Sequence, residues 1–259
     1  MKKHFKLENI TIGSDLEMFI TDQEGNLESA IGVFGGTKKE PKYIGELCYI
    51  QEDNILVEAN IPPVTEFEEF IKYIQYIKQY INDNYPQYKL KYSSSEIAPL
   101  NLLINEKAQE FGCDPVLIVD YNKDGDIVPD LDFNIGIADK QISDKRTGGF
   151  HIHFGYDNPS KEVSREIVKL FERNVTLPLL KEDVDEHNRR EFYGKSGEYR
   201  IKPYGLECRS LGSAFLKDET TLRKVWDGVQ KTIQDFNNGD RVSKQEFEII
   251  KDIIDNYKK

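Results

Sequence analysis

The sequence predicts a fold of the α+β class, because it carries both strand-like and helix-like stretches. In Thr11 to Thr21 and in Thr147 to Gly155, apolar and polar residues alternate, as they do in a strand with one buried face. In Thr65 to Tyr85 and in Pro159 to Phe171, apolar residues follow helical spacing. The 259 residues contain no internal repeat, low-complexity segment or linker, which favours a single domain over residues 1–259.

Composition and charge exclude several classes of protein. A hydrophobic content of 38% is enough for a core, and the net charge of 35 − 46 = −11 argues against broad nucleic-acid or membrane-surface binding. The cysteines Cys48, Cys113 and Cys208 show neither metal-type spacing nor a disulfide framework, so we expect a protein of a reducing cytoplasm. We find no signal peptide and no stretch long enough to span a membrane.

Two acidic stretches near the N-terminus stand out. Asp15 and Glu17 share one face of the first predicted strand, and the residues 22–26 that follow it predict a turn into a partner strand. Glu58 interrupts the apolar run of a strand over Asp53 to Pro63, which we expect two prolines to stop. Each carboxylate is either solvated or a candidate ligand. A glycine-rich loop, Gly32 to Pro41, lacks P-loop spacing; it is either an ordinary surface loop or one that brings backbone N–H groups or Lys38 close to a ligand.

Helices and short strands fill much of the remainder. The first helix, Thr65 to Tyr85, is predicted to begin with a capping box formed by Thr65 and Glu68. We expect the following further elements: a strand at 88–97, short helices at 100–110 and through the 180s, a helix at 222–236, and a capping box of Ser243 and Glu246 before the last helix. Residues 120–132 half-match a calcium loop, but Leu131 occupies the position of the bidentate Glu, so a hairpin turn is the interpretation.

The most informative stretch is Thr147 to Gly155. His151 and His153 lie two residues apart, so in a strand they point to one face while Phe150, Ile152 and Phe154 point to the other. Two imidazoles on one rigid strand bind a metal or a phosphate, or they are hydrogen-bonded structural groups.

A second informative stretch runs from Tyr193 to Leu211. Glu207 and Arg209 are again two residues apart, and Arg200 follows a glycine-bearing loop. The pair is either a cross-sheet ion pair or a metal ligand beside a phosphate-binding guanidinium.

Together these stretches form a pattern of four strands, each with Asp, Glu or His on one face. Carboxylates with a histidine suit Mg²⁺ or Mn²⁺, and several carboxylates in one cavity repel each other unless cations neutralise them. Glycines and arginines beside them suit phosphate. That combination is what phosphoryl transfer from ATP requires.

The motifs also resemble those of a known family, the phage and bacterial carboxylate–amine ligases (COOH-NH2 ligase type 2), which are related to glutamine synthetase and glutamate–cysteine ligase. The matching stretches, in order, are Gly13 to Glu17, Gly35 to Lys38, Asp53-Asn54 with Glu58, Gly148 to Gly155, and Tyr204 to Arg209. Asp15 stands where the wider superfamily usually has Glu. The resemblance implies a curved antiparallel sheet, shaped as a funnel, with helices on its outer face. It also implies ATP-dependent amide-bond formation through an acyl phosphate.

The resemblance further implies roles for individual residues and for partners. The implied metal ligands, for Mg²⁺ or Mn²⁺, are Glu17, Glu58, His151, Glu207 and, as a further ligand, Asp15. His153, Arg200 and Arg209 would contact phosphates or the acyl phosphate, and Lys38 and Arg146 would contact nucleotide or substrate. Small-molecule or peptide carboxylates and amines are the expected substrates, and whether the protein forms a homo-oligomer stays open. If the protein is phage-encoded, the resemblance implies the host cytoplasm as its location. The alternatives are a metal-dependent hydrolase and an inactive nucleotide-binding relative.

Overall fold

The computed structural model describes residues 5–109, 117–119, 144–180, 189–191 and 193–257. Within them the chain forms twelve strands: β1 (Thr11–Thr21), β2 (Leu27–Glu28), β3 (Lys42–Gly45), β4 (Cys48–Asp53), β5 (Leu56–Val64), β6 (Lys89–Lys91), β7 (Ser95–Ile97), β8 (Leu117–Ile118), β9 (Lys145–Thr147), β10 (Phe150–Gly155), β11 (Glu198–Lys202) and β12 (Gly205–Cys208). The helices are α1 (Phe67–Asn84), α2 (Glu106–Gln109), α3 (Lys161–Phe171), α4 (Glu219–Asn237) and α5 (Lys244–Asp255). Shorter helical turns cover Leu100–Leu103, Glu172–Thr176, Leu177–Leu179 and Ser213–Leu216.

Helices combine with an open antiparallel sheet, which confirms the α+β class. The main sheet has the strand order β3-β4-β5-β1-β10-β12-β11-β8, with β2 and β6 also paired to β1. All of these pairs are antiparallel, and β7 pairs separately with β9. The four strands that carry the predicted site, β5, β1, β10 and β12, are therefore consecutive neighbours in the sheet, although β1 and β10 are far apart along the chain.

One face of the sheet is apolar and is covered by helices. Phe150, Ile152 and Phe154 are fully buried, as the alternation predicts. The ring of Phe150 lies 6.4 Å from that of Phe70 on α1, and the ring of Phe154 lies 6.0 Å from that of Phe171 on α3. Burial of these large rings stabilises the helix layer on the sheet. The opposite face is left for the polar residues of β1, β5, β10 and β12.

Two local predictions are wrong. The strand β5 does not stop at the prolines but continues through Pro62 and Pro63 to Val64. Its pairing with β4 ends at Asn60, and a register shift between Ile12 and Ser14 accommodates the extra residue opposite β1. The prolines therefore stand beyond the doubly paired part of the strand, where a missing N–H removes no bond to β4.

The predicted capping box of the first helix is also wrong. The N-cap of α1 is Glu66, which makes no side-chain capping bond, so Thr65 and Glu68 are one residue out of position for the box. At the last helix, in contrast, Ser243 is the N-cap and its Oγ accepts from the N–H of Glu246 at 3.2 Å.

Other elements match with adjusted boundaries. The turn at 22–26 joins β1 to β2 as expected, with the N–H of Asn26 donating to Asp22 Oδ1 at 2.8 Å. The predicted strand at 88–97 is divided into β6 and β7, which belong to different sheets. Residues 120–132, Cys113 and most of the predicted helix in the 180s lie outside the described residues. None of the helices described is long and apolar enough to cross a membrane.

Candidate functional site

Cross-strand register brings the predicted site residues to one face of the main sheet. Residues directly opposite each other in an antiparallel pair point to the same side. The opposed pairs along the four central strands and β11 are Glu17 with Glu58, Asp15 with His151, His153 with Glu207, and Arg200 with Glu207. The carboxylates, imidazoles and one guanidinium that the sequence singles out thus form one polar surface.

A group of three side chains has the spacing of a metal site. One ligand atom each from Asp15, His153 and Glu207 lies within 4.8 Å of the other two. Asp15 Oδ2 is 3.1 Å from His153 Nε2, and Asn60 Nδ2 donates to Asp15 Oδ1 at 2.6 Å. Burial alone would raise the pKa of Asp15, but the charge and hydrogen bond of His153 bring that pKa below its ordinary value.

Glu207 is the point where the cationic side chains converge. Its Oε1 contacts Arg209 Nη1 directly and lies 3.6 Å from Arg200 Nη1, and its Oε2 lies 2.8 Å from Lys202 Nζ. The residue is fully buried, which by itself would raise the pKa of its carboxyl, yet the positive charge of Arg209 holds that pKa well below the ordinary value. Glu207 is therefore an anion at neutral pH.

His151 lies deeper on the same face and is 2% exposed. Its Nε2 is 3.8 Å from Glu17 Oε1, and its Nδ1 is 3.5 Å from Glu207 Oε1 and 3.4 Å from Arg209 Nη1. Burial and the charge of Arg209 put the pKa of His151 well below its ordinary value. The imidazole is therefore neutral, which is the state that ligates a metal.

The remaining two predicted ligands, Glu17 and Glu58, are crowded by other acids. Glu17 Oε2 accepts from the N–H of Gly149 at 2.6 Å, and Glu58 Oε2 accepts from Gln51 Nε2 at 2.6 Å. Burial, followed by the charge of Asp53, raises the pKa of Glu17. Burial, followed by three neighbouring carboxylates, raises the pKa of Glu58 well above its ordinary value. This end of the surface has an excess of negative charge.

A pocket opens beside this surface and is partly open to solvent. Its lining comprises Glu17, Asp53, Asn54, Leu56, Arg146, Thr147, His151, Arg189, Tyr193 and Arg209. Lys38 stands near its rim, with Nζ 3.9 Å from Asp53 Oδ1. Of the residues predicted to contact nucleotide or substrate, Lys38 and Arg146 are therefore at the pocket.

Arg146 is held in place by the chain itself. It is 4% exposed, and its guanidinium donates to the carbonyl oxygens of Ala108 at 2.7 Å and Lys145 at 2.8 Å and to Asn54 Oδ1 at 3.2 Å. These bonds fasten β9 to the segment around α2 and so shape the pocket wall. Contact of Arg146 with a ligand stays a prediction.

Sequence reasoning missed several residues of the surface. Lys202 and Glu198 flank Arg200 at two-residue intervals, so the alternation that singled out Arg200 would have placed them on the same face. Glu198 is fully buried, and its Oε2 accepts from the N–H of Gly194 at 2.8 Å. Asn60 and Gln51 donate hydrogen bonds to the carboxylates of Asp15 and Glu58, respectively. These two amides can be identified only once the strand pairing is known.

The comparisons with known proteins bear on the C-terminal part of the chain. A family model described as "Phage phiEco32-like COOH.NH2 ligase-type 2" matches residues 136–250. A search of curated proteins found no match. The matched region carries His151, His153, Arg200, Glu207 and Arg209, whereas Asp15, Glu17 and Glu58 precede it. Over residues 136–250 the chain is thus similar to the family of phage carboxylate–amine ligases of type 2, whose name describes a ligase that joins a carboxyl group to an amine.

Proposed function

We propose that the protein is an ATP-dependent carboxylate–amine ligase of the glutamine synthetase and glutamate–cysteine ligase superfamily, acting through an acyl phosphate. The observation that carries the proposal is the convergence of three cations, Arg200, Lys202 and Arg209, on Glu207, one of three closely spaced candidate metal ligands. Cations beside grouped carboxylates suit a phosphate bound together with divalent metal. The family similarity over residues 136–250 supports a ligase.

The donor set fits Mg²⁺ or Mn²⁺. Asp15, His153 and Glu207 supply two carboxylates and an imidazole within 4.8 Å, and these ions take hard oxygen ligands with an occasional histidine. Glu17, Glu58 and His151 are the remaining candidate ligands for a further ion; burial and neighbouring carboxylates raise the pKa values of Glu17 and Glu58, and a bound cation would offset that effect. When bound, such ions neutralise the charge of the carboxylates and of the transferred phosphoryl group.

Cationic side chains of the protein would bind the phosphates during the reaction. Arg209, Arg200 and Lys202 would exchange their contacts with Glu207 for phosphate oxygens and stabilise the charge that develops there. The substrate carboxylate attacks the γ-phosphorus of ATP, ADP leaves, and an acyl phosphate forms. The amine then attacks the acyl carbon, loses a proton and expels phosphate.

This reaction needs no covalent nucleophile from the protein. Cys48 and Cys208 are buried, and burial raises the pKa of the Cys48 thiol to about 12 and that of Cys208 well above its ordinary value. Thiols held in the neutral form are poor nucleophiles. These two cysteines are therefore packing residues in the proposed mechanism.

An ADP-release screen tests the proposal and identifies the substrates. The protein is incubated with Mg-ATP, a panel of amino acids and short peptides as carboxylates, and amino acids or polyamines as amines, and products are identified by mass spectrometry. We expect ADP and phosphate to appear only when both a carboxylate and an amine are present. Release of ADP and phosphate depends on both substrates because the carboxylate forms the acyl phosphate and the amine consumes it.

Site variants give a second, substrate-independent test. We expect Glu58→Ala and Glu207→Ala each to abolish metal-dependent binding of Mg-ATP, measured by calorimetry, because each removes a charge that a divalent ion would meet. The exposed turn residue Glu24 provides the control, and Glu24→Ala should bind Mg-ATP as the wild type does. Undiminished affinity in both site variants would contradict the site assignment.

The same three-ligand group also favours one alternative, a metal-dependent hydrolase that activates a bound water. Hydrolysis of an amide or phosphate ester in the absence of ATP would support that alternative. An inactive relative would bind Mg-ATP with the Glu207 dependence described above but give no ADP with any substrate pair.

A further inference from the structure

Tyr204 lies at the turn between β11 and β12 and contacts one of the candidate metal ligands. Its Oη is 2.8 Å from His153 Nδ1, while Nε2 of the same imidazole is 3.1 Å from Asp15 Oδ2. The two rings are stacked, with centroids 6.0 Å apart and planes 23° from parallel. Both nitrogens of His153 therefore have a polar neighbour, Tyr204 at Nδ1 and the carboxylate of Asp15 at Nε2.

The backbone fixes Tyr204 relative to the strand that carries His153. The N–H of Tyr156, just beyond β10, donates to the carbonyl oxygen of Tyr204 at 2.9 Å. The next residue, Gly205, has φ +152°, and a Cβ there would lie 1.9 Å from the carbonyl oxygen of Phe154. Only glycine permits this close approach, so the turn is anchored against β10 by two independent features.

The side chain of Tyr204 is not part of the core. It is 45% exposed and lies in a turn, so the core does not depend on it for packing. Its aromatic ring covers the imidazole, and its hydroxyl reaches the nitrogen that faces away from the carboxylates. This placement is that of a group that orients a ligand, since ligating histidines engage their other ring nitrogen in a hydrogen bond that fixes ring orientation and tautomer.

We infer that Tyr204 is a positioning residue that fixes the ring of His153 so that Nε2 is presented to a divalent cation shared with Asp15 and Glu207. The inference rests on the proposed metal-dependent function. A phenol both donates and accepts, so it serves either tautomer of the imidazole. When Nε2 gives its lone pair to a cation, Nδ1 carries the proton and donates to Tyr204 Oη.

The test uses Tyr204→Phe, which keeps the ring stacking and removes only the hydroxyl. We expect Mn²⁺ affinity, measured by electron paramagnetic resonance without nucleotide, to fall by about 10-fold or more, the usual effect of losing such a partner. The ¹⁵N chemical shifts of the His153 ring, assigned with His153→Gln, should change in the metal-free protein. The unfolding temperature of Tyr204→Phe should equal that of the wild type, because the side chain is substantially exposed. Tyr43, exposed on β3 and outside the three-ligand group, supplies the control: Tyr43→Phe should match the wild type throughout.

The outcomes separate this inference from the proposed function. Wild-type Mn²⁺ affinity in Tyr204→Phe, or lower affinity with unchanged His153 ¹⁵N shifts, would overturn the positioning role. If Asp15→Asn still lost Mn²⁺ binding in that case, the metal site would stand without Tyr204. If the wild-type protein bound no Mn²⁺, or if Asp15→Asn bound it normally, the proposed metal-dependent function would itself fail.

Discussion

Gly149 supports the candidate site through the space that it leaves free. A Cβ at this position would lie 2.3 Å from His151 Nε2 and 3.0 Å from Glu17 Oε2. We therefore predict that Gly149→Ala displaces the imidazole of His151. The N–H of residue 149, which donates to Glu17 at 2.6 Å, is retained in alanine, so the substitution tests space rather than hydrogen bonding.

The size of the displacement follows from the contact distances. Ordinary contact begins at 3.4 Å, so the ring must move by about 3.4 − 2.3 = 1.1 Å. His151 is 2% exposed and is bordered on its other side by Arg209 and Glu207, so it cannot move without disturbing them. Overpacking of this kind costs about 1–3 kcal/mol of stability. A misplacement of about 1 Å at a reacting site costs roughly 100-fold in rate.

Two measurements check the prediction, and Gly13→Ala is the matched control. Gly13 lies on β1 opposite His153, where a new Cβ would meet His153 Cβ at an ordinary 3.6 Å. In urea unfolding, Gly149→Ala should lose about 1–3 kcal/mol, whereas Gly13→Ala should stay within about 1 kcal/mol of the wild type. ADP release by Gly149→Ala should fall roughly 100-fold. Wild-type stability and turnover in Gly149→Ala would refute the steric reasoning.

Two further predictions concern stability alone. Burial raises the pKa of Glu172 to about 7 from 4.5, so folding favours its protonated form and wild-type stability should fall between about pH 4.5 and 7. The free energy of unfolding should fall by an amount on the order of 3 kcal/mol over this range. Glu172→Gln should remove this pH dependence, measured by urea unfolding from about pH 4.5 to 8. The same change of unfolding free energy with pH in both proteins would contradict the prediction. Asp218→Ala removes the oxygen that accepts from Thr221 N–H at 2.8 Å at the start of α4, and it should cost about 1 kcal/mol in the same assay; an unchanged urea midpoint would show that this cap contributes nothing.

The face of each site residue was predictable from sequence, whereas the order of the strands was not. A period of two residues places Asp15 with Glu17, and His151 with His153, on one side of their strands whatever the fold. Nothing in the local pattern states that β1 lies between β5 and β10. That adjacency depends on contacts between distant parts of the chain, which a local pattern does not record.

Contacts within the site depend on details finer than strand pairing. Asp15 is directly opposite His151 in register, yet its carboxylate meets Nε2 of His153, the diagonal neighbour. On β1, the residue directly opposite His153 is Gly13, which has no side chain to fill the space between them. Diagonal side chains are within reach in a sheet, but which of them meet is decided by their rotamers. For the same reason the sequence did not distinguish the roles of the two histidines.

The distribution of charge over the surface favours two kinds of ligand, cations at one end and an anion at the other. At the β5 and β1 end, burial and mutual repulsion raise the pKa values of Glu58, Glu17 and Asp53, so this end is stabilised by added cations. At the β12 and β11 end, Arg209, Arg200 and Lys202 converge on the buried carboxylate of Glu207, so an added anion at this end would meet several positive charges. A phosphate bound with a divalent metal supplies both charges at adjacent points. An amide hydrolase with a metal-bound water would supply only the first, so the charge distribution favours the proposed ligase over hydrolysis of an amide.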